Sequence, residues 1–503
     1  MNIKKLSIWS VLLILVLIFS FILRLIYFND NTAIWWDSAD YLTGAKEIAG
    51  KFDLEHYELS PRRPFFLSVF WGALIFLGAN DTMLHFSVLI FSMIAVWMTY
   101  LIGKDLYSKK AGLISAFMLA VFWPHLFHTA RLLTDVIAST FWLIALYFFI
   151  KGYIKEEKQL KNLILFGLFF GLSWFTRSAI IIMIGPLLLT IILKDKLNFV
   201  KNKNLWLALL AIFIAISPFI IYLATQFDNP LQAYTGIGQG RFEGGGFKGL
   251  YDNTKLIITS MMLPFAIIFL IGLFYALEFL FGLDFLVKKE NSSIKNNFFL
   301  FIIFIAPLAF LGLTFNRALE ERYFFPVFPI AFIIGAQGLT RLNDYLKKYY
   351  KHLGLVVIIG LLLWGAIAHI STADIIIDAR SQGFAEIKFS GEWIKENSDA
   401  DAVVMSASKF QNMYYSERDT IPICDTEECR QNPDSFIKRL KETNPDFVVF
   451  SIYEQGFTPN YLFFINGYIF AQDNPSLLKP LYWYPKEIDN QNPPKIVVYK
   501  YLG

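Results

Sequence analysis

Cysteine and charge are what this chain has least of. Two cysteines in 503 residues exclude a disulfide-dense scaffold and any cysteine-rich metal site. Charged residues make up 17% of the chain, against roughly 25% in an ordinary soluble domain. The 45 Lys and Arg against 41 Asp and Glu leave a net charge of only +4, too small to point to a nucleic-acid partner. Six histidines, at 56, 85, 125, 128, 352 and 369, include no HExxH pair. His125 and His128, three residues apart, could share a metal on one helix face. The commoner reading of such a pair is an interfacial polar one. The chain has no internal repeat and no low-complexity tract.

What is present is apolar. Hydrophobic residues are 56% of the chain, with 52 Phe, 24 Tyr and 12 Trp, and the mean hydropathy is +0.48. That composition excludes a purely soluble enzyme and a disordered chain, and it leaves a polytopic α-helical membrane protein. Apolar runs long enough to cross a bilayer read at 6–28, 82–103, 111–129, 132–150, 162–176, 178–193, 205–225, 256–283, 298–315, 322–341 and 353–373, about eleven spans. The run 64–79 is apolar but short. If it does not cross, the lysine-rich connections around Lys4, Lys104, Lys151, Lys194, Lys288 and Lys347 all share the side of the N-terminus. If it crosses, the later ones fall outside. The positive-inside tendency favours the first option. The N-terminus is therefore expected in the cytoplasm, the C-terminus outside, and 64–79 at the outer interface. The first run outlasts a signal-peptide core and ends in Phe-Asn-Asp rather than small residues, so it reads as a retained helix.

Composition turns polar near residue 374. The expected division is a transmembrane domain over 1–373 and a small α/β extracytoplasmic domain over 374–503. Val403–Met405 and Phe447–Ile452 read as short buried strands and Phe384–Asn397 as an amphipathic helix. Cys424 and Cys429, in Cys-Asp-Thr-Glu-Glu-Cys, lie in the outer part, where a disulfide is chemically allowed; two free thiols are the alternative. Asn291-Ser-Ser is a glycosylation sequon that this topology places in the cytoplasm, while Asn80-Asp-Thr lies outside against the membrane.

Chemistry-bearing residues gather at the outer ends of the apolar runs. The first outer connection carries Trp35-Trp36-Asp37-Ser-Ala-Asp40-Tyr41 and opens a short helix. Asp37 suits an N-cap. The same carboxylate beside two tryptophans can serve as a general base for a hydroxyl or amine acceptor. Asp40, one turn on, could raise its pKa or share a metal ion with it. Arg62 and Arg63 precede Pro64, Arg131 and Asp135 stand in Ala-Arg-Leu-Leu-Thr-Asp, Arg177 in Trp-Phe-Thr-Arg-Ser, and Arg322 and Tyr323 precede Phe-Phe-Pro-Val-Phe-Pro. Any one of these arginines could simply snorkel. As a set on the outer side they run against the general charge bias, and the planar fork of arginine suits phosphate. The glycine-rich connection 236–249 lacks the Gly-Lys-Ser/Thr of a P-loop. It reads either as a loop that closes over a ligand or as a flexible linker.

With these pieces the chain resembles the GT-C glycosyltransferases, more narrowly the family 39-type group of protein mannosyltransferases and aminoarabinose lipid A transferases. The resemblance spans about residues 1–375. It rests on Asp37-Ser-Ala-Asp-Tyr41, Arg63-Pro-Phe-Phe with the run ending Leu77-Gly-Ala, Ile102-Gly-Lys-Asp-Leu-Tyr-Ser-Lys-Lys-Ala-Gly, Ala130-Arg-Leu-Leu-Thr-Asp135, Gly171-Leu-Ser-Trp-Phe-Thr-Arg177 and Arg322-Tyr-Phe-Phe-Pro-Val-Phe-Pro329. It implies a sugar carried on a polyprenyl phosphate and transferred outside the membrane with inversion, to an acceptor lipid, glycan or protein. Asp37 matches the family's loop-one acid. The family often has a second acid next to it, but here that position is Ser38, so Asp40 is the candidate second carboxylate. No cofactor is certain, and a divalent cation stays open. Arg131, Arg177 and Arg322 are the implied partners of the departing phosphate, with Tyr41, Arg62, Arg63, Asp135 and Tyr323 completing the substrate-binding set. Two competing readings are a lipid or glycan transporter or flippase, for which inverted repeats and broken mid-span helices would be expected, and a non-catalytic assembly or sensor protein.

Overall fold

The computed structural model of the chain describes residues 7–28, 33–55, 57–60, 63–227, 246–278, 292–315, 319–486 and 494–503. The glycine-rich segment 236–249 falls mostly outside these residues, as do Arg62 and Asn291. By packing the chain forms two compact units: 1–28, 60–66 and 85–377 make one, and 29–59, 67–84 and 378–503 make the other. Residues 29–59 thus pack with the C-terminal segment.

The first unit is helical. Seven described helices are each long and apolar enough to cross a membrane: Ile8–Ile26, Asp81–Leu106, Thr134–Ile154, Ser178–Lys201, Lys203–Gln226, Lys295–Thr314 and Leu353–Ala379. Two bent pairs raise that to nine. Lys109–Val121 and Trp123–Thr129 meet at 58°, where Pro124 starts the second piece without an amide to continue the ladder. Gly246–Ser260 and Met262–Ala276 meet at 112°, where Met262 takes a left-handed φ of 53°. The span expected at 256–283 is therefore the two arms of a sharp bend rather than one straight helix. The spans expected at 162–176 and 322–341 are helices, Gln159–Thr176 and Phe328–Leu346, that lie outside the strongly apolar set. The run 64–79 folds as Phe66–Phe76, apolar but too short to cross.

Close approach of backbones sets the packing here. On Met262–Ala276, a β-carbon at Gly272 would overlap the carbonyl of Ile334, and one at Gly338 would overlap Gly272 itself. Small residues let helices meet this way where water supplies no driving force. One polar knot ties the first helix into the bundle. Buried Arg24 donates to the Ser20 hydroxyl (2.5 Å) and carbonyl (3.1 Å), to Ser92 Oγ (2.5 Å) and to the Ala120 carbonyl (3.1 Å), and its Nη2 lies 2.9 Å from His125 Nδ1. An intramembrane cation is tolerable when its donors are satisfied in this way. His125 thus has an arginine partner, which suits the polar-pair reading of His125 and His128 better than the metal one.

The second unit is built on a five-stranded sheet, β1 (Val403–Ser406), β2 (Asp419–Ile421), β3 (Phe447–Ser451), β4 (Leu478–Tyr484) and β5 (Ile496–Tyr501), in the order β2-β1-β3-β5-β4. β1 runs parallel to β2 and β3, and β5 antiparallel to β3 and β4. Side chains alternate between two cores, as a pleat requires. Met405, Val448, Phe450, Val497 and Tyr499 face Phe436 and Leu440 of the helix Pro433–Thr443, together with Cys424 and Cys429. Val404, Phe447, Val449 and Val498 face Ile387 and Ile394 of the helix Ala385–Glu396. Cys424 and Cys429 form a disulfide with their Cα atoms 5.6 Å apart.

Candidate functional site

Two groups of the expected site residues stand out, one in each unit. In the membrane unit the helix Thr134–Phe149 carries Asp135 in its first turn, where the helix dipole favours a carboxylate. Ser173 Oγ donates to the Ala138 carbonyl (2.6 Å) and fixes the neighbouring helix Gln159–Thr176. Arg177 caps the end of that neighbour with an extended φ of −151°. Its guanidinium reaches Asp135 at 2.7 Å and Thr134 Oγ1 at 3.2 Å. Trp142 Nε1 donates to the Pro326 carbonyl (3.1 Å) and draws in the Arg322–Pro329 segment. Arg322 then lies 3.9 Å from Asp135 and 2.7 Å from Glu320. Tyr323 lies under the Arg177 guanidinium, 4.9 Å from ring centre to Cζ.

Burial separates the members of this cluster. The Asp135 side chain is fully buried, those of Arg177 and Arg322 are 19% and 12% exposed, and that of Glu320 is 59% exposed. A pair as exposed as Arg322–Glu320 is weak. A slot of about 20 Å³ opens between the two arginines, room for one water-sized centre. Its other walls are apolar: Ile180, Ile182, Met183, Leu311, Pro326 and Val327. Arg131 is buried over the Phe127 ring at 4.9 Å and is not part of this lining. Arg63 is half-buried ahead of Phe66–Phe76, its amide bonded to the Ser60 carbonyl at 3.2 Å.

In the second unit the helix Trp36–Ile48 begins one residue before Asp37. Trp35 takes the cap position without a side-chain bond, so Asp37 is a first-turn residue and not the cap. Chain 33–35 is clamped onto the helix Lys409–Ser416: Tyr415 Oη accepts from the Ile34 amide (2.7 Å), and Gln411 Nε2 donates to the Ile34 carbonyl (2.7 Å). Trp36 stacks on Phe457 (5.0 Å, 12°) and meets Phe410 edge-on (5.4 Å). Asp40 and Tyr41 are buried. The Asp40 carbonyl accepts from Tyr57 Oη (3.1 Å), and the Tyr41 carbonyl from Ser68 Oγ (3.1 Å). Burial lowers the Lys409 ammonium below its usual range, against the pull of Asp419, Glu58 and Asp40.

Sequence reasoning missed Glu454. Burial pushes its carboxyl up to about 6, and the charge of Asp37 adds to the rise. It follows β3 closely, at the C-terminal strand end where α/β sheets hold ligands. The strand was legible, so that rule was the available signal. Among the described residues no group of three or more His, Cys, Asp or Glu converges to hold a metal ion.

The dolichyl-phosphate-mannose-protein mannosyltransferase family matches residues 61–222. No curated protein matches the sequence. Among solved structures, ArnT from Cupriavidus metallidurans bound to undecaprenyl phosphate aligns over 98% of this chain and 97% of its own, with TM-score 0.67 and 14% identity. The oligosaccharyltransferase of Archaeoglobus fulgidus in its apo form aligns over 96% of this chain and 74% of its own, with TM-score 0.64 and 15% identity. The chain has the GT-C glycosyltransferase fold. The arabinofuranosyltransferase AftD from Mycobacteria shows it too, over 99% of this chain and 40% of its own, with TM-score 0.59 and 12% identity. The GT-C likeness to ArnT runs nearly the full length of both chains, so it takes in the small sheet unit as well as the helices. A multi-pass membrane protein built on these helices agrees with that fold.

Proposed function

We propose that the chain is a membrane glycosyltransferase that moves a sugar from a polyprenyl-phosphate donor to an acceptor on the extracytoplasmic face, with inversion at the anomeric carbon. The carrying observation is the slot at Asp135, where two guanidinium groups stand beside apolar walls. In charge and polarity, though not in its present volume, that combination matches a phosphate borne on an isoprenoid chain. The printed description of the ArnT structure, bound to undecaprenyl phosphate, supports the same donor class.

The chemistry divides between the two groups of residues. The acceptor oxygen or nitrogen attacks the anomeric carbon, and the bond from that carbon to the phosphate oxygen breaks. The electron pair leaves on the phosphate, whose charge Arg177 and Arg322 stabilise as preorganised donors. Asp37 takes the acceptor's proton. A single displacement of this kind inverts the centre. Asp135 holds both arginines in place, and Tyr323 supports Arg177 from below. Arg131, Arg62, Arg63, Tyr41 and Asp40 complete the substrate-binding and acceptor-side set. The proposed orientation has the N-terminus in the cytoplasm and residues 374–503 outside, with 1–373 as the catalytic membrane domain. A divalent cation would turn to Asp37, Asp40 and Glu454. The described residues do not form a converged ligand set, so no step is derived through one.

The test is turnover of radiolabelled undecaprenyl- and dolichyl-phosphate sugars by purified protein, with membrane extract as acceptor. Wild type releases label from the lipid, and Asp37→Asn is slower by about 10²–10⁴-fold. Equal turnover by both removes Asp37 from the chemistry.

A further inference from the structure

The sheet unit carries a cleft of about 460 Å³ at its β4 edge, between β4, β5 and the helix Ile465–Asp473. That volume lies in the usual range of small-molecule sites. An irregularity in β4 builds it. Strict alternation would put Leu478, Pro480 and Tyr482 on one face and turn Trp483 to the other. The pairing instead shifts between Pro480 and Tyr482: Pro480 faces Tyr499, Tyr482 faces Val498 and Trp483 faces Val497. β4 thus carries one extra residue there, which is a bulge, and bulges at sheet edges re-aim side chains. Tyr482 turns into the core with Ile387 and Ile394, and Trp483 joins Leu478 and Pro480 on the cleft face.

The walls of the cleft are aromatic and uncharged. Trp483 Nε1 donates to the Lys486 carbonyl at 3.4 Å, which orients the indole. Tyr499 lines the cleft from β5, and Tyr468 and Gln472 line it from the helix. Among the described residues the Tyr468 hydroxyl, the Tyr499 hydroxyl and the Gln472 amide have no hydrogen-bond partner. Among the described residues no Asp, Glu, Lys or Arg lines the cleft. Lys486 Nζ stands 5.4 Å from the Trp483 ring centre but lies closer to Tyr482, at 4.0 Å.

We propose that this cleft binds an uncharged sugar unit of a glycan. A pyranose ring offers an apolar face of C–H groups and a rim of hydroxyls. The C–H face suits the negative π-face of Trp483 or Tyr468. The rim suits two phenols and an amide, groups that both donate and accept. A phosphate or a charged peptide finds no counter-charge in this lining. A proline-rich peptide suits the rings but leaves the three polar groups unmatched, and an unmatched polar group is costly. An added β-strand is disfavoured by Lys479 and Pro480 on this edge. The site does not depend on Asp37 as the base. Under the proposed transfer to an extracytoplasmic acceptor, it holds the glycan part of that acceptor.

Fluorine NMR of the full-length protein labelled with 5-fluorotryptophan reads the cleft directly, in a detergent whose head group is not a sugar. Trp483→Phe assigns the Trp483 resonance. The probes are neutral trisaccharides of mannose, glucose and galactose, a trisaccharide of glucuronate, and a proline-rich peptide. A neutral trisaccharide is expected to shift the Trp483 resonance to saturation. Gln472→Ala, at an exposed position of its helix, should weaken that binding roughly two- to tenfold and leave the unfolding temperature unchanged. Trp483→Ala should weaken it by about thirtyfold; if that variant does not fold, Gln472→Ala carries the test. Asp37→Asn should bind the trisaccharide as wild type does, whatever its turnover, so a failed base reading leaves the cleft standing. A Trp483 resonance unmoved by all three neutral probes overturns the inference. A response only to the peptide or only to glucuronate overturns it too, as does saccharide binding that Gln472→Ala leaves unchanged or Asp37→Asn abolishes.

Discussion

The two regions that carry the candidate chemistry treat their acids in opposite ways. Asp135 in the membrane unit is fully buried and flanked by Arg177 and Arg322, so its charge is neutralised and it organises cations. In the sheet unit burial, and after it the charge of Asp37, pushes the Glu454 carboxyl up to about 6. A buried carboxylate among arginines serves as a scaffold that fixes their guanidinium groups. A carboxylate beside another carboxylate is poised to take a proton. On the proposed function, phosphate handling falls to the first region and proton handling to the second.

Removing an arginine should break that contrast most. Arg322→Ala is expected to lower kcat by about 10²–10³-fold with little loss of stability, because Arg322 lies 3.9 Å from Asp135. Arg177→Ala should lose similar activity and also destabilise the membrane unit by roughly 3–5 kcal/mol, since it strands a buried carboxylate. Kinetics on the polyprenyl-phosphate sugars, combined with thermal unfolding in detergent, separate the two. Arg322→Lys should recover only part of the rate, because a point charge replaces a two-pronged donor. If Arg322→Ala keeps full turnover, the slot is structural and the division of labour fails.

Much of this was legible in the sequence, and the misses have physical causes. Hydropathy marks the long helices, and the placement of the lysines keeps the short run 64–79 out of the crossing set, where the helix Phe66–Phe76 falls below the bilayer thickness. It cannot mark the bend at Met262, which depends on one backbone angle. Arg177, Arg322 and Asp135 share a cluster although they are far apart in the chain, and the family motifs named each of them. β1 and β3 were visible as apolar runs, whereas β4, with Lys479 and Pro480 inside it, resembles loop composition. Glu454 belongs to no motif. Its significance comes from where β3 ends and from Trp36 stacking on Phe457, contacts that no local pattern encodes.

The units also differ in how they are held together, and removing one covalent bridge sharpens that difference. The membrane unit relies on helix packing such as the Gly272–Gly338 approach, while the sheet unit adds the Cys424–Cys429 bridge beside Phe436 and Leu440. Closing so short a loop is worth about 2 kcal/mol. Cys424→Ser with Cys429→Ser should therefore lower the unfolding midpoint of the sheet unit by roughly 4–8 °C. Amide hydrogen exchange should rise in β1, β2 and the helix Pro433–Thr443 and stay unchanged in the Thr134–Phe149 helix. Equal loosening of both regions would mean that the bridge stabilises the protein as one cooperative block.

The smallest expected effect concerns Glu320, and it tests whether the first region awaits an anion. Glu320 pairs with Arg322 at 2.7 Å, yet its side chain is 59% exposed. Such a pair contributes about 0–1 kcal/mol. If the donor phosphate takes the place of this carboxylate, Glu320→Gln removes a competitor from Arg322. The donor KM should then fall by up to about fivefold, the equivalent of roughly 1 kcal/mol, while kcat and the unfolding temperature hold steady. A raised KM would show the opposite, that Glu320 orients Arg322 for the phosphate rather than standing in for it. Raising the salt concentration separates the cases further. Screening weakens an exposed pair more than a buried one, so added salt should narrow the gap between wild type and Glu320→Gln and leave Arg177 bound to Asp135.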